Sequence, residues 1–176
     1  MNPPARCFSK WLIFGLLASV AACVNPFAPG ELEGDPVSDL LGDPSTIEGF
    51  YTRFQKAYEL RDTSLYGPLI HADFTFTYRD HIQNQDISWG RPLEMNSTNN
   101  MFMLSYDLNL QWNNIIDQFI NEPQTEATVF RSFNLSIRED PSEPPLRSNG
   151  IAYFRLTRTD STQNWKLIFW RDDSDI

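Results

Sequence analysis

Two histidines and the acids beside them are the residues of this sequence best suited to moving a proton. His71 and Asp73 stand two apart, where helical spacing gives way to strand spacing. Residues two apart on a strand share a face. An imidazole that titrates near neutrality and is oriented by a carboxylate can act as a general base. The same pair can equally close a helix–strand junction by bonding local backbone, and that structural role is the commoner one. Asp80-His81 repeats the two residue types in the turn that follows. Two imidazoles and two carboxylates can bind zinc or iron, but no spacing here brings the pairs together. Neither a metal nor a cofactor is expected.

Arg131 shares its parity with Val129, Phe133 and Leu135, which turns it toward the inner side of a sheet. A buried guanidinium needs an anion. Asp107, Asp172 or Glu126 could supply it, and an ion pair within the protein is favoured over a ligand. The side taken by Arg155 is left open. Tyr58, Tyr78, Trp112 and Trp170 join Arg131 as candidates for lining a cavity, although aromatic residues at such periods are first of all core. There is no Gly-rich phosphate loop, nucleophile elbow or Cys–His arrangement.

These residues sit in a chain of 176 residues, 41% hydrophobic and 14% aromatic, enough for one packed domain with additional segments. The formal charge of −9 becomes −11 once Arg6 and Lys10, the only charged residues before Cys23, are removed. Such a surface repels phosphate backbones and anionic lipid, so nucleic acid is excluded as a partner and a polybasic grip on membranes with it. Cys7 and Cys23 are the two cysteines. If the first of them is cleaved away, no intramolecular disulfide is possible.

Arg6 and Lys10 precede an apolar run from Trp11 to Val20, too short to span a bilayer, and small residues lead on to Cys23. Val20-Ala21-Ala22-Cys23 resembles the lipobox of bacterial lipoproteins. That resemblance implies a signal peptide over residues 1–22, a diacylglyceryl (palmitate-type) lipid on Cys23, and a membrane as partner through the anchor. The competing reading is an ordinary secretory signal with a cysteine there by chance. Val24 is not the Asp that retains enterobacterial lipoproteins in the inner membrane, so the implied location is the cell envelope at the outer membrane. Residues 23–44, broken by four prolines and three glycines and carrying only acidic charge, read as a tether.

The domain is expected over residues 45–176. Ser45 and Glu48 fit a capping box, and the aromatic stripe Ile47, Phe50, Tyr51, Phe54, Ala57, Tyr58 predicts a helix to about Arg61. Asp62 caps a shorter helix, a strand starts at Asp73, and a second follows at 86–89. Gly90 and Pro92 open a third helix, carrying Leu93, Met101 and Leu104. Four further strands begin near Leu108, Ala127, Gly150 and Trp165.

This order, with the run Phe50-Tyr51-Thr52-Arg53-Phe54 through Asp62, the segment Leu69-Ile70-His71-Ala72-Asp73-Phe74 and the closing Trp165-Lys166-Leu167-Ile168, resembles the NTF2-like (SnoaL-like) superfamily. The resemblance implies an α+β cone, a strongly curved antiparallel sheet wrapped around an N-terminal helix, with binding or catalysis in the cone. Some catalytic members use a His–Asp pair to abstract a proton next to a carbonyl. The family also holds binding modules and scaffolds, so fold does not give activity. The expected function is an envelope-anchored module binding a small apolar ligand or an envelope protein. The alternatives are a small isomerase or dehydratase using His71 and Asp73 or another acid in the cone, and a structural subunit forming a homodimer through the open sheet face.

Overall fold

Helix α1 (Ile47–Leu60) forms because one stripe of its surface is aromatic and its first turn is capped. Phe50, Tyr51, Phe54, Ala57 and Tyr58 are all buried. The computed structural model describes residues 40–80 and 82–174. The expected signal segment, Cys23, most of the tether and His81 lie outside the described residues. The cap is Thr46, one residue later than expected, and its Oγ1 accepts from Gly49 N at 3.0 Å. Ser45 is held instead by Asp43, whose carboxylate takes both its amide (2.9 Å) and its hydroxyl (2.7 Å). A carboxylate two residues back outcompetes the helix for that hydroxyl. Gly42 and Pro44 are also buried: Gly42 O accepts from Arg53 Nε, and Pro44 O from Trp165 N.

The helix ends where Arg61 takes a left-handed conformation (φ 54°), a position usually given to glycine. Its guanidinium bonds the carbonyls of Ser105 and Tyr106, which fixes the turn. Asp62 then caps the single turn α2 (Thr63–Tyr66), accepting from Ser64 N at 2.7 Å. A 3₁₀ turn over Gly67–Leu69 leads into β1 (Ile70–Asp80) and its hairpin partner β2 (Gln85–Gly90). Helix α3 (Arg91–Leu104) follows, with a proline in its first turn. The remaining strands are β3 (Asp107–Ile120), β4 (Glu126–Arg138), β5 (Leu146–Thr157) and β6 (Lys166–Ser174).

Four elements differ from expectation, the first being β5, which begins at Leu146, four residues before Gly150. β1 begins three residues early, so His71 and Asp73 lie within it, beside an irregularity between Ile70 and Thr75. β3 runs well past Trp112. Its second half, Asn113 to Gln118, lost the two-residue alternation because the register shifts twice there. Helix α3 turns Glu94, Thr98 and Phe102 to the core and leaves Leu93 and Leu104 exposed, the reverse of what hydrophobicity suggests.

The six strands form one sheet in the order β2-β1-β6-β5-β4-β3. Every pairing is antiparallel except β1 with β6. The sheet closes over α1: Tyr51 meets Trp112 edge to face at 4.9 Å, and Phe54 meets Phe154 at 5.7 Å and Trp170 at 5.9 Å. Aromatic packing of this kind adds to the area it buries. This is the α+β cone expected from the sequence. Among the described residues, no helix is long and apolar enough to cross a membrane.

Candidate functional site

The far ends of β1 and β6 and the inner side of β2 surround a half-open cavity of about 440 Å³. Strand registry assembles it. Phe76 faces Trp89 across the β1–β2 pair and Trp170 across the β1–β6 pair, and Tyr78 faces Asp172. Phe76 and Trp89 stack at 4.3 Å with 25° between their planes, and Tyr78 meets Trp89 at 61°. Among the described residues, Asp80, Arg79, Ile82 and Ser174 also line it.

Asp172 is the polar feature of this aromatic wall. Its Oδ1 is buried and has no hydrogen-bond partner in the protein. Burial pushes its carboxyl up to about 6; the Ser174 hydroxyl pulls the other way, and the charge of Asp173 adds to the rise. Trp170, two residues earlier on the same face of β6, has an unpartnered Nε1 as well.

Behind Trp89 lies a buried carboxyl that hydrophobic patterning conceals. Glu94 is 4% exposed, in the first turn of α3. Its oxygens accept from Tyr66 Oη (2.6 Å), Trp89 Nε1 (2.8 Å) and Thr98 Oγ1 (3.2 Å). The helix N-terminus favours an acid there, and three donors answer the cost of burying it. Burial raises the hydroxyls of Tyr58 and Tyr66 well above their usual range, and the nearby Glu94 carboxyl adds to both. The result is an indole fixed at the pocket wall from behind.

The residues expected to carry function are distributed differently. Tyr78 lines the pocket. Trp170 is packed behind it, edge to face on Phe76 at 4.9 Å. Tyr58 is core, stacked on Phe54 at 5.2 Å, and Trp112 packs against Tyr51. Arg131 faces inward as its parity implied, but its partner is none of the three acids considered. It bonds Glu48 Oε2 at 2.9 Å and Asn113 O at 3.0 Å, with its guanidinium over the Tyr51 ring. Arg155 lies on the outer face, over Phe169.

The structure does not put His71 and Asp73 in the cone. They stand at the start of β1, whereas the cavity is at its end. His71 Nδ1 accepts the Asp73 amide at 3.1 Å, and the Asp73 carboxylate, 87% exposed, stays 3.8 Å away. His71 borders a separate polar groove with Arg158 and Lys166. Asp80 reaches the cavity, and its neighbour His81 lies outside the described residues.

Sequence reasoning named Asp172 only as an ion-pair partner and passed over Trp89 and Glu94. For Asp172 a signal existed: it shares parity with Trp170 on the last strand. For Glu94 the spacing Glu94–Thr98–Phe102 marks one helix face, but only Phe102 on it is apolar.

No family model matches the chain, and no curated protein matches it. Solved structures do. A candidate scytalone dehydratase from Novosphingobium aromaticivorans superposes with a TM-score of 0.62 at 16% identity, over 74% of this chain and 82% of that one. An NTF2-like protein of unknown function from Shewanella baltica gives 0.53 at 13% identity, over 74% and 91%. A protein with a cystatin-like fold from Caulobacter vibrioides gives 0.56 at 10% identity, over 81% and 92%. At such identities the likeness is one of fold: the chain is built as an NTF2-like cone.

Proposed function

We propose that this chain is a lipid-anchored envelope protein whose cone binds a small, largely apolar molecule, with Asp172 as the polar anchor for it. The observation that carries the binding reading is the buried Asp172 oxygen without a protein partner, beside a cavity walled by Phe76, Tyr78 and Trp89. Small-molecule sites combine apolar walls with a few placed polar groups in this way. The cavity's volume falls within the usual range for such sites. The lipobox-like Val20–Cys23 supports the anchor, with the outer membrane as its site. A spacer of about 20 residues would hold the domain within roughly 25 Å of the lipid surface.

A second reading assigns the same carboxyl to acid–base chemistry, of the isomerase or dehydratase type. A carboxyl pushed to about 6 can hold or release a proton near neutral pH. Its candidate residue is Asp172, since His71 and Asp73 stand elsewhere.

Screening of small apolar alcohols, ketones and amines by thermal shift, on wild type and Asp172→Asn, tests the binding reading. A ligand that stabilises the wild type and loses most of its effect in D172N supports it. If every hit is indifferent to D172N, or there are no hits, the reading is refuted. For the anchor, labelling with an alkynyl palmitate analogue is expected for the wild type and abolished in Cys23→Ser. Equal labelling of both would end the lipoprotein reading.

A further inference from the structure

The walls and rim of the cavity say more about the ligand than its size does, granted the binding reading above. Three π systems meet there: Phe76 and Trp89 at 4.3 Å, Tyr78 and Trp89 at 5.8 Å, Phe76 and Tyr78 at 6.2 Å. Their planes differ by 25°, 61° and 39°, so the rings form a bent wall in place of one flat surface. A π face carries negative potential and attracts a cation lying over it. Trp89, the strongest of the three for this purpose, cannot swing aside because Glu94 Oε2 holds its indole N–H.

Among the described residues, two carboxyls, Asp172 and Asp80, share the lining with one cation, Arg79. That guanidinium is already committed: Nη1 donates to Asp86 Oδ1 at 3.0 Å, and Nη2 to Asn84 Oδ1. An anionic ligand would have to displace Asp86 to reach it. The Asp172 Oδ1, by contrast, has no partner to lose. The surrounding charge points the same way, since the whole chain carries −9 and its field draws cations inward.

We infer that the ligand of this cavity is an organic cation, an alkylammonium or quaternary ammonium group seated against Phe76, Tyr78 and Trp89 and paired with Asp172. An ammonium with apolar substituents matches both halves of the site: the rings take its methyl or methylene surface, and the carboxylate takes its charge. A neutral molecule of the same shape would fill the aromatic wall and leave Asp172 unanswered.

The full-length chain in maltoside micelles is titrated with choline and with dimethylbutanol, its uncharged tert-butyl isostere. Binding is read from the Trp89 indole N–H resonance, which is identified by its disappearance in Trp89→Phe. Choline is expected to shift that signal and saturate, with the isostere about tenfold weaker or worse. Asp172→Asn is expected to weaken choline by about tenfold and leave the isostere unchanged. If isostere and choline bind alike, and D172N weakens both alike, the cation inference falls while the binding reading stands. If benzoate binds in preference to choline, Arg79 governs the site and the inference is overturned. If none of the probes moves the Trp89 signal, the cation inference falls. Should the thermal-shift screen also be empty, the pocket reading falls with it.

Discussion

Asp172 has charged or titratable neighbours on α1, β1 and its own strand. Tyr58 comes from α1, Tyr78, Arg79 and Asp80 from β1, and Arg171 and Asp173 from its own strand. Burial outweighs all of them, and the carboxyl rises from the usual 3.8 to about 6. The folded state therefore holds this proton more tightly than the unfolded chain does. Stability from this group is complete below about pH 4 and is lost as pH rises through about 6, by at most about 3 kcal/mol. Asp43, Glu59, Asp62, Asp140 and Asp160, each held low by local hydrogen bonds, act in the opposite direction, but in the more acidic range. Urea unfolding between pH 5 and 7 should show wild-type stability falling with pH, and Asp172→Asn should flatten that slope. An equal slope in both proteins would mean that the carboxyl is not the titrating group. Occupation of the cavity by a cation would draw the carboxyl down again, so ligand should weaken the same slope.

Helix α3 shows how far an element can depart from its pattern. Its sequence suggests an apolar face through Leu93, Met101 and Leu104, yet Leu93 and Leu104 stay exposed. The face that enters the core is Glu94, Thr98 and Phe102, joined to the protein by hydrogen bonds from Tyr66 and Trp89. Replacing Glu94 by Leu keeps the bulk and removes the acceptor. The buried donors of Tyr66, Trp89 and Thr98 are left unpaired, at about 1–3 kcal/mol apiece before relaxation. A loss of about 3 kcal/mol or more in denaturant unfolding is expected for Glu94→Leu, with Glu94→Gln milder because an acceptor remains. A Leu variant as stable as wild type would show that the carboxyl is no more than tolerated. Elements held by aromatic periodicity, α1 and the first and fourth strands, were legible from sequence because one repeating physical term, burial, fixes them. α3 was not, because what fixes it is a polar network around a buried carboxyl, which hydrophobic periodicity does not register. The same difference divides the site. Tyr78 could be read from alternation, whereas Trp89 needs Glu94 to become a wall, and neither residue implies the other in one dimension.

At the scale of the whole molecule the expectation of a curved sheet around a helix holds, together with the order of its elements. The sequence could not supply the register, and register makes the cavity: Phe76 opposite both Trp89 and Trp170, Tyr78 opposite Asp172. The β1–β6 pairings join residues 94 positions apart, beyond any local pattern. The strand made last is also an inner one, with β1 on one side and β5 on the other. A chain ended after Asn164 should therefore lose more than an edge. β1 and β2 would be cut from β3–β5, and α1 would lose Trp165, Leu167 and Trp170. Circular dichroism and proteolysis of the truncated chain should show an unfolded or molten protein, and a cooperative, protease-resistant fragment would contradict this.

That placement sets a timetable. Until β6 is available, β1–β2 and β3–β5 are two parts of a sheet with nothing to join them, so premature locking is avoided by topology alone. For a chain that must be threaded across a membrane before it works, as we propose here, the delay is useful. Under that proposal the chain would stay pliable during transit, and the cavity would form in the same step that completes the fold.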